Sequence, residues 1–262
     1  MRFLPTEFSA ATAPTEIRAL VAQLSGLSPD EPISVLPGGQ EAAQVALAKI
    51  QPQLYRHDRN FLDGHVTRLS PYVRHGLVSP QQLMQQALQV AGVEAGERFI
   101  QQLAWRDYFH LYLAQFPQAA WQDVEPYKTG WLAADYAQDL PADIAAASTG
   151  VRLIDQLICE LLQQGWLHNH ARLYLAAYVV HWRRVRWQAG AQWFLQHLLD
   201  GDLASNNLSW QWVASTFSAK PYIFNLENVE KFSRGRLDCA HPSNAIFDDD
   251  YDALQAKLFP NL

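Results

Sequence analysis

Residues 165–187 read GWLHNHARLYLAAYVVHWRRVRW, and this stretch decides the fold class. It contains no proline and no strand-like alternation. Apolar side chains recur over several turns, as in a helix buried on most of its faces. Gly165 and Gly190 mark its expected boundaries. Working outward, Ser79-Pro80 is an N-cap followed by a first-position proline, which predicts a helix to about residue 90. Residues 97–116 form an aromatic-rich amphipathic run stopped by Pro117, and residues 149–164 form another, ended by Gly165. Residues 192–199 and 207–215 complete the later set, and residues 41–54 give an earlier helix entered through Pro37-Gly38-Gly39. No β-type alternation persists beyond about four residues, so the predicted class is all-α, a multi-helix domain. Residues 117–148 read as one long connecting loop, and from about Arg234 periodicity fades into a tail expected to lie along the surface.

The 262 residues are 49% hydrophobic and 18% charged, which suits a soluble globular chain. No apolar run approaches the roughly 20 residues of a membrane span, and the N-terminus lacks the pattern of a signal peptide, so no membrane association and a cytoplasmic location are expected. Cys159 and Cys239 are too few to close a zinc or iron–sulfur site, and no metal is expected. The net charge of −6 argues against a protein that coats nucleic acid non-specifically. Locally the picture differs. Residues 168–187 carry Arg172, Arg183, Arg184 and Arg186 and no acid, and residues 56–75 add Arg56, Arg59, Arg68 and Arg74. Two basic segments in an acidic chain fit a focused anion site such as a pyrophosphate; they fit solvated helix faces equally well.

Three patterns point to chemistry. Six of the nine tryptophans fall between Trp166 and Trp212, a density that packing alone can also produce. The segment Asp200-Gly201-Asp202-Leu203-Ala204-Ser205-Asn206-Asn207 places two carboxylates and two amides between apolar stretches. Carboxylates there need cationic or hydrogen-bonding partners, for which Arg172 is a candidate, unless they serve only as helix caps. Val66-Thr67-Arg68-Leu69-Ser70-Pro71 offers hydroxyls, backbone N–H groups and a guanidinium suited to a phosphate. No GxGxxG or GKS/T motif is present, which excludes Rossmann and P-loop signatures.

Taken together, Thr67-Arg68-Leu69-Ser70-Pro71-Tyr72, Gly76-Leu77-Val78-Ser79-Pro80, Trp105-Arg106-Asp107-Tyr108-Phe109, Thr149-Gly150 with Asp155, Gly165-Trp166-Leu167-His168-Asn169 with Arg172, and the Asp200–Asn207 segment with Trp210-Gln211-Trp212 resemble the FAD-binding domain of the photolyase/cryptochrome family. They keep that family's order and spacing from about residue 37 to residue 231. The resemblance implies FAD held by Tyr55, Thr67, Arg68, Leu69 and Ser70 at its phosphates and ribose. Arg106, Asn169, Arg172, Asp200, Gly201, Asp202 and Asn206 are implied around the rest of a U-shaped cofactor. Asn206 would face the flavin N5, where an amide stabilises an N–H but supplies no proton. Trp210 would begin a chain of redox-active tryptophans, with Trp187 next and Trp131 at the surface.

The departures are equally specific. Residues 1–36 are too few for the α/β antenna domain that precedes this one in the family, so a stand-alone form is expected. Residues 37–233 would then be the FAD-binding domain and residues 234–262 an extension packed on it. A separate antenna-like chain or a second copy is the expected partner on the face left open. Where members that repair cyclobutane dimers carry a glutamate facing the lesion, this chain has Gln102; His170 replaces an arginine and Leu173 a methionine. The stacking pair that the resemblance implies, Trp105 and Trp212, is kept. The expected function is a blue-light-responsive flavoprotein passing electrons between FAD and tryptophans, with Gln102, His170 and the net charge drawing it towards a sensor. The alternative is a deoxyribodipyrimidine photolyase, a carbon–carbon lyase acting on damaged DNA through Gln102, Trp105, His170 and Trp212. A cofactor-free interaction subunit is the remaining class.

Overall fold

The computed structural model of the protein describes residues 34–262 and, before them, only Ala19, so the segment expected over residues 1–36 lies almost wholly outside the described residues. The architecture is all-α, and a single bridge between Ala137 and Val185 is the β structure found among the described residues. Two short helices, α1 (Gln40–Ala48) and α2 (Pro52–Asp58), replace the single helix expected over residues 41–54. The reason is Pro52, whose ring cannot continue a helix but fits the first turn of the next one. A five-residue helix α3 (Ser70–Arg74) precedes the long α4 (Pro80–Gln115). Ser79 caps α4 as expected, forming a reciprocal capping box with Gln82. Gly92, at φ 70° and ψ −176°, kinks α4 into the two runs that the sequence separates.

Residues 117–148 are less of a loop than expected: they contain two 3₁₀ turns and the short α5 (Ala142–Ala145). Helix α6 (Arg152–Gln164) buries Leu153, Ile154, Leu157, Ile158 and Leu161, a stripe at helical spacing, and ends at Gly165 in the left-handed region. The segment expected as one helix over residues 166–187 is shorter and interrupted. Helix α7 (Asn169–Ala177) starts behind the His168 cap and continues as a π turn over Tyr178–Trp182. Arg184 then adopts φ 46°, and the chain reverses into the Ala137–Val185 bridge. Trp187 opens the next helix, α8 (Trp187–His197), and Gly190 lies inside it rather than at a break. The Trp210 ring lies over Gly190, where an added Cβ would sit 2.3 Å from the indole.

Helix α9 (Leu203–Ala214) is capped by Asp202, and α10 (Leu226–Ser233) by Asn225. The last stretch is not a surface tail: a 3₁₀ turn and α11 (Tyr251–Leu258) carry Phe247, Leu254 and Phe259 into the interior. The buried apolar residues form two groups. The larger is built on α6 to α9, with side chains from α10 and the C-terminal 3₁₀ turn. The smaller joins α1, α3 and the first part of α4 around Leu69, Tyr72 and Leu83. Among the described residues no helix is long and apolar enough to cross a membrane.

Candidate functional site

A cleft of about 350 Å³ runs along the seam between the two groups, with Leu69, Leu83 and Phe99 on the smaller side and Trp166, Leu167 and Asp200 on the larger. That volume lies in the range of cofactor sites. A second pocket of about 140 Å³ shares Asn169, Arg172, Asp200 and Ser205 with it and reaches inward to Asn206 and Trp210. The seam is bridged by polar contacts: Arg74 Nε donates to the Gly201 carbonyl at 2.8 Å, and His75 Nε2 lies 2.9 Å from the Leu199 carbonyl.

Most residues singled out in the sequence converge here. Tyr55, Thr67, Arg68, Leu69, Ser70, Arg106, Asn169, Arg172, Asp200 and Asp202 line the main cleft, and Asn206 and Trp210 line the inner pocket. Gln102, Trp105 and His170 stand on the main cleft as well, Trp105 being 55% exposed. Leu173 lines the inner pocket too, whereas Gly201, Trp212, Trp187 and Trp131 line neither cavity. Gly201 is set back, serving Arg74 through its carbonyl. Trp212, 43% exposed, packs against Tyr222. Trp187 is fully buried at the start of α8. Trp131 donates from Nε1 to the Leu258 carbonyl, and the Arg184 guanidinium sits 3.7 Å from its ring centroid.

The charged groups are individually held. Asp200, with its side chain 3% exposed, accepts from Arg172 Nη2 at 3.0 and 2.8 Å, while Arg172 Nε donates to the Leu167 carbonyl at 3.0 Å. Burying a carboxylate is costly unless such a partner is present, so this pair fixes a charge at the junction of the two cavities. Asp202 accepts from Ser205 N–H at 2.8 Å as the α9 cap; its other oxygen faces His110 Nε2 at 2.9 Å and Arg106 Nη2 at 3.7 Å. Burial pushes the Asp202 carboxyl up, but the Ser205 hydrogen bonds and the His110 and Arg106 charges outweigh it and leave its pKa below the ordinary value.

Neutral donors and acceptors are equally defined. Asn206 donates both amide hydrogens to protein, to Ala191 O at 3.0 Å and Asn207 Oδ1 at 2.9 Å, so its own Oδ1 is the atom left to meet a ligand. Arg68, at φ 51°, lays its guanidinium over the Trp166 ring, whose Nε1 donates to Ser70 Oγ at 3.3 Å. His170 Nδ1 pairs with the Asn60 carbonyl, and burial lowers the pKa of this ring. A ring kept neutral, with its Nδ1–H on that carbonyl, has Nε2 as an acceptor. His168, buried behind it, is pushed down to about 4, first by burial and then by His170.

Sequence reasoning missed His110 and Asn60, and named Arg59 only as one of a basic segment. Helical spacing contained a signal for two of them: His110 lies four residues after Arg106, and Arg59 four after Tyr55. It also missed Asp123, whose Oδ1 accepts the Trp187 indole N–H from 64 residues away.

The donor set suits a flavin nucleotide: guanidinium and hydroxyl groups at one end, a carboxylate and an amide oxygen for N–H groups at the other, and aromatic walls between. Comparison with known proteins agrees. Residues 99–238, just over half the chain, match the family described as the FAD binding domain of DNA photolyase. The chain is 37% identical over 186 residues to a deoxyribodipyrimidine photo-lyase of Streptomyces griseus, a match covering 68% of this chain and 39% of that protein. It is 29% identical over 248 residues to the one from Salmonella typhimurium, covering 87% and 46%. The chain thus spans less than half the length of these relatives. Among solved structures, a class III photolyase from Agrobacterium tumefaciens superposes with a TM-score of 0.70 at 22% identity, over 87% of this chain and 56% of that one. An archaeal photolyase from Sulfolobus tokodaii, solved with two FAD molecules, gives 0.64 at 25% identity over 80% and 47%. The chain belongs to the photolyase/cryptochrome family of flavoproteins, as an FAD-binding domain of the DNA photolyase type.

Proposed function

We propose that the protein is a light-driven DNA photolyase whose inner pocket and main cleft hold FAD beside an extruded pyrimidine dimer. The observation that carries this reading is that the main cleft, with the exposed Trp105 and the half-buried Gln102 on it, shares Asn169, Arg172, Asp200 and Ser205 with the inner pocket of Asn206 and Trp210. A lesion entering at the mouth would stand directly against a cofactor seated below it. Extrusion of a damaged, poorly stacked base costs less than that of an intact one, which favours the lesion. The name deoxyribodipyrimidine photo-lyase, borne by the relatives above, supports a repair enzyme over the sensor that Gln102 and His170 first suggested.

FAD, when bound, supplies absorption of blue light and one-electron exchange. In this proposal Thr67 and Ser70 hydroxyls with the Arg68 guanidinium take the phosphates, and Tyr55 and Leu69 wall the same end. Arg106 holds Asp202, which accepts a flavin N–H. Asn169 closes the junction, Asn206 Oδ1 accepts at N5, and Arg172 fixes the Asp200 charge. Trp210 and Trp187 form the inner relay. Trp131 is left out of it, because a cation against an indole face opposes removal of an electron from that ring. On the open side Gln102, Trp105 and His170 would meet the lesion, and Trp212, outside the cleft but exposed, is the candidate contact to the flanking DNA. A photoreceptor is the second reading, favoured by the absence of an acid at Gln102.

The deciding experiment illuminates the purified protein with blue light, a thiol reductant and an oligonucleotide containing a thymine dimer. Restored thymine absorbance together with flavin photoreduction is the expected result. Photoreduction without repair would favour the photoreceptor, and a preparation that cannot be loaded with flavin would overturn both.

A further inference from the structure

The two relay indoles differ in what their N–H groups meet. Trp210 Nε1 is buried with no hydrogen-bond acceptor among the described residues. Trp187 Nε1, equally buried, donates to Asp123 Oδ1 at 2.6 Å. The rings belong to packed neighbouring helices, with Trp210 lying over Gly190, one turn beyond Trp187 on α8. An indole that loses an electron becomes a strong acid at nitrogen. On Trp210 that proton has no protein acceptor among the described residues, which favours passing the charge on. On Trp187 it faces a carboxylate.

We propose that Asp123 is the proton acceptor that traps the light-generated charge on Trp187, a role that rests on the electron relay of the proposed function. The step balances as follows. The oxidised Trp210 ring takes one electron from Trp187 and returns to neutral indole. The Trp187 Nε1–H proton crosses the existing hydrogen bond to Asp123 Oδ1. A neutral indolyl radical and a neutral carboxylic acid remain, with no net charge buried at Trp187. Return of the electron then requires return of the proton, which slows recombination. Before the electron moves, the charge-assisted bond already favours a positive Trp187 ring.

The surroundings fit this role. Gln188 Nε2 donates to the same Oδ1 at 3.2 Å and fixes the carboxylate's orientation. Tyr127 and Tyr136 both sense the Asp123 charge, with Arg186 acting on Tyr127 from the same side, and burial raises both phenols, keeping Tyr136 protonated as well. Burial, and then the Asp123 charge, push the Tyr127 phenol far above the ordinary range, so it does not compete for the proton. Asp123 also anchors the residue 121–131 segment to α8, and a purely structural role would end there.

The test separates the two. In the dark, the indole ¹⁵N–¹H resonance of Trp187, assigned by its loss in Trp187→Phe, should move upfield in Asp123→Asn. After a blue flash on the flavin-loaded protein, the wild type should show the deprotonated indolyl radical, formed with a solvent deuterium isotope effect. In Asp123→Asn the radical cation should replace it, and the charge-separated state should recombine about tenfold faster, the factor between a charge-assisted and a neutral hydrogen bond. Asp123→Glu should restore the deprotonated radical. A wild-type radical that stays protonated, or forms without an isotope effect, overturns the proposal even if Asp123→Asn fails to fold. If Trp210→Phe photoreduces normally, the relay itself fails. If Trp210→Phe abolishes photoreduction while Asp123→Asn changes nothing, only the role of Asp123 fails.

Discussion

The two sides of the cleft are built to different standards. The larger side closes around fully buried rings such as Tyr174, Trp187, Phe194, Phe224 and Phe247 and holds the Arg172–Asp200 pair. The smaller side rests on short helices, and the second half of α4 and the residue that follows it leave Trp105, Tyr108, Leu111 and Phe116 exposed. One side is a finished interior, whereas the other keeps large apolar side chains in contact with solvent, of which Trp105 alone stands on the cleft.

Arg172→Ala attacks the seam itself and should have the largest effect. It leaves the Asp200 carboxylate buried and unpaired, a loss of about 3–5 kcal/mol, and the flavin should be lost on gel filtration. Urea unfolding with flavin absorbance as a second signal measures both. Phe247→Ala opens a cavity in the finished interior and should cost about 3–4 kcal/mol in the same experiment. A smaller loss would mean that the C-terminal segment is less integral to that core than its burial implies.

The larger side should also set the response to acid. Burial pushes His181 down to about 4, and its Nε2 donates to the Val213 carbonyl at 3.0 Å. Below the unfolded value near 6.5 the unfolded chain binds a proton that the folded one refuses. Stability therefore falls as pH drops from about 6.5 to about 4, by roughly 2–3 kcal/mol for this group, with His168 adding to the slope. Thermal unfolding across that window should be visibly less pH-dependent in His181→Gln; an unchanged slope would assign it to carboxylates instead. On the smaller side, Ser79→Ala removes the α4 capping box and should cost about 1 kcal/mol, with lost amide protection confined to the first turns of α4.

Much of this was legible in the sequence where a local rule had one outcome. Ser79-Pro80, Gly165 and Pro117 each mark a boundary that the chain uses. Errors arose where tertiary packing decided. The run over residues 166–187 is apolar throughout, so periodicity held no sign of the reversal at Arg184, a non-glycine residue in the left-handed region. Gly190 looked like a breaker but is small because Trp210 lies on it. The tail beyond Arg234 shows no single periodicity because Phe247, Leu254 and Phe259 come from a 3₁₀ turn, a helix and its cap. The cleft residues were legible through ordered motifs, whereas Asp123 was not, since nothing local connects it to Trp187.

The π turn over Tyr178–Trp182 has a consequence for how this chain tolerates insertion and deletion. A π turn holds one more residue than the α turn it replaces, and such turns occur mostly as single insertions within α-helices. Removing one residue there would let the hydrogen-bond ladder revert to the α spacing and would swing the following reversal about the helix axis. Arg172 lies before the turn and Trp187 after it. The phase between the Arg172–Asp200 pair and the Trp187 ring is therefore set by a single surplus residue, making this the position where a one-residue length change would rotate one against the other.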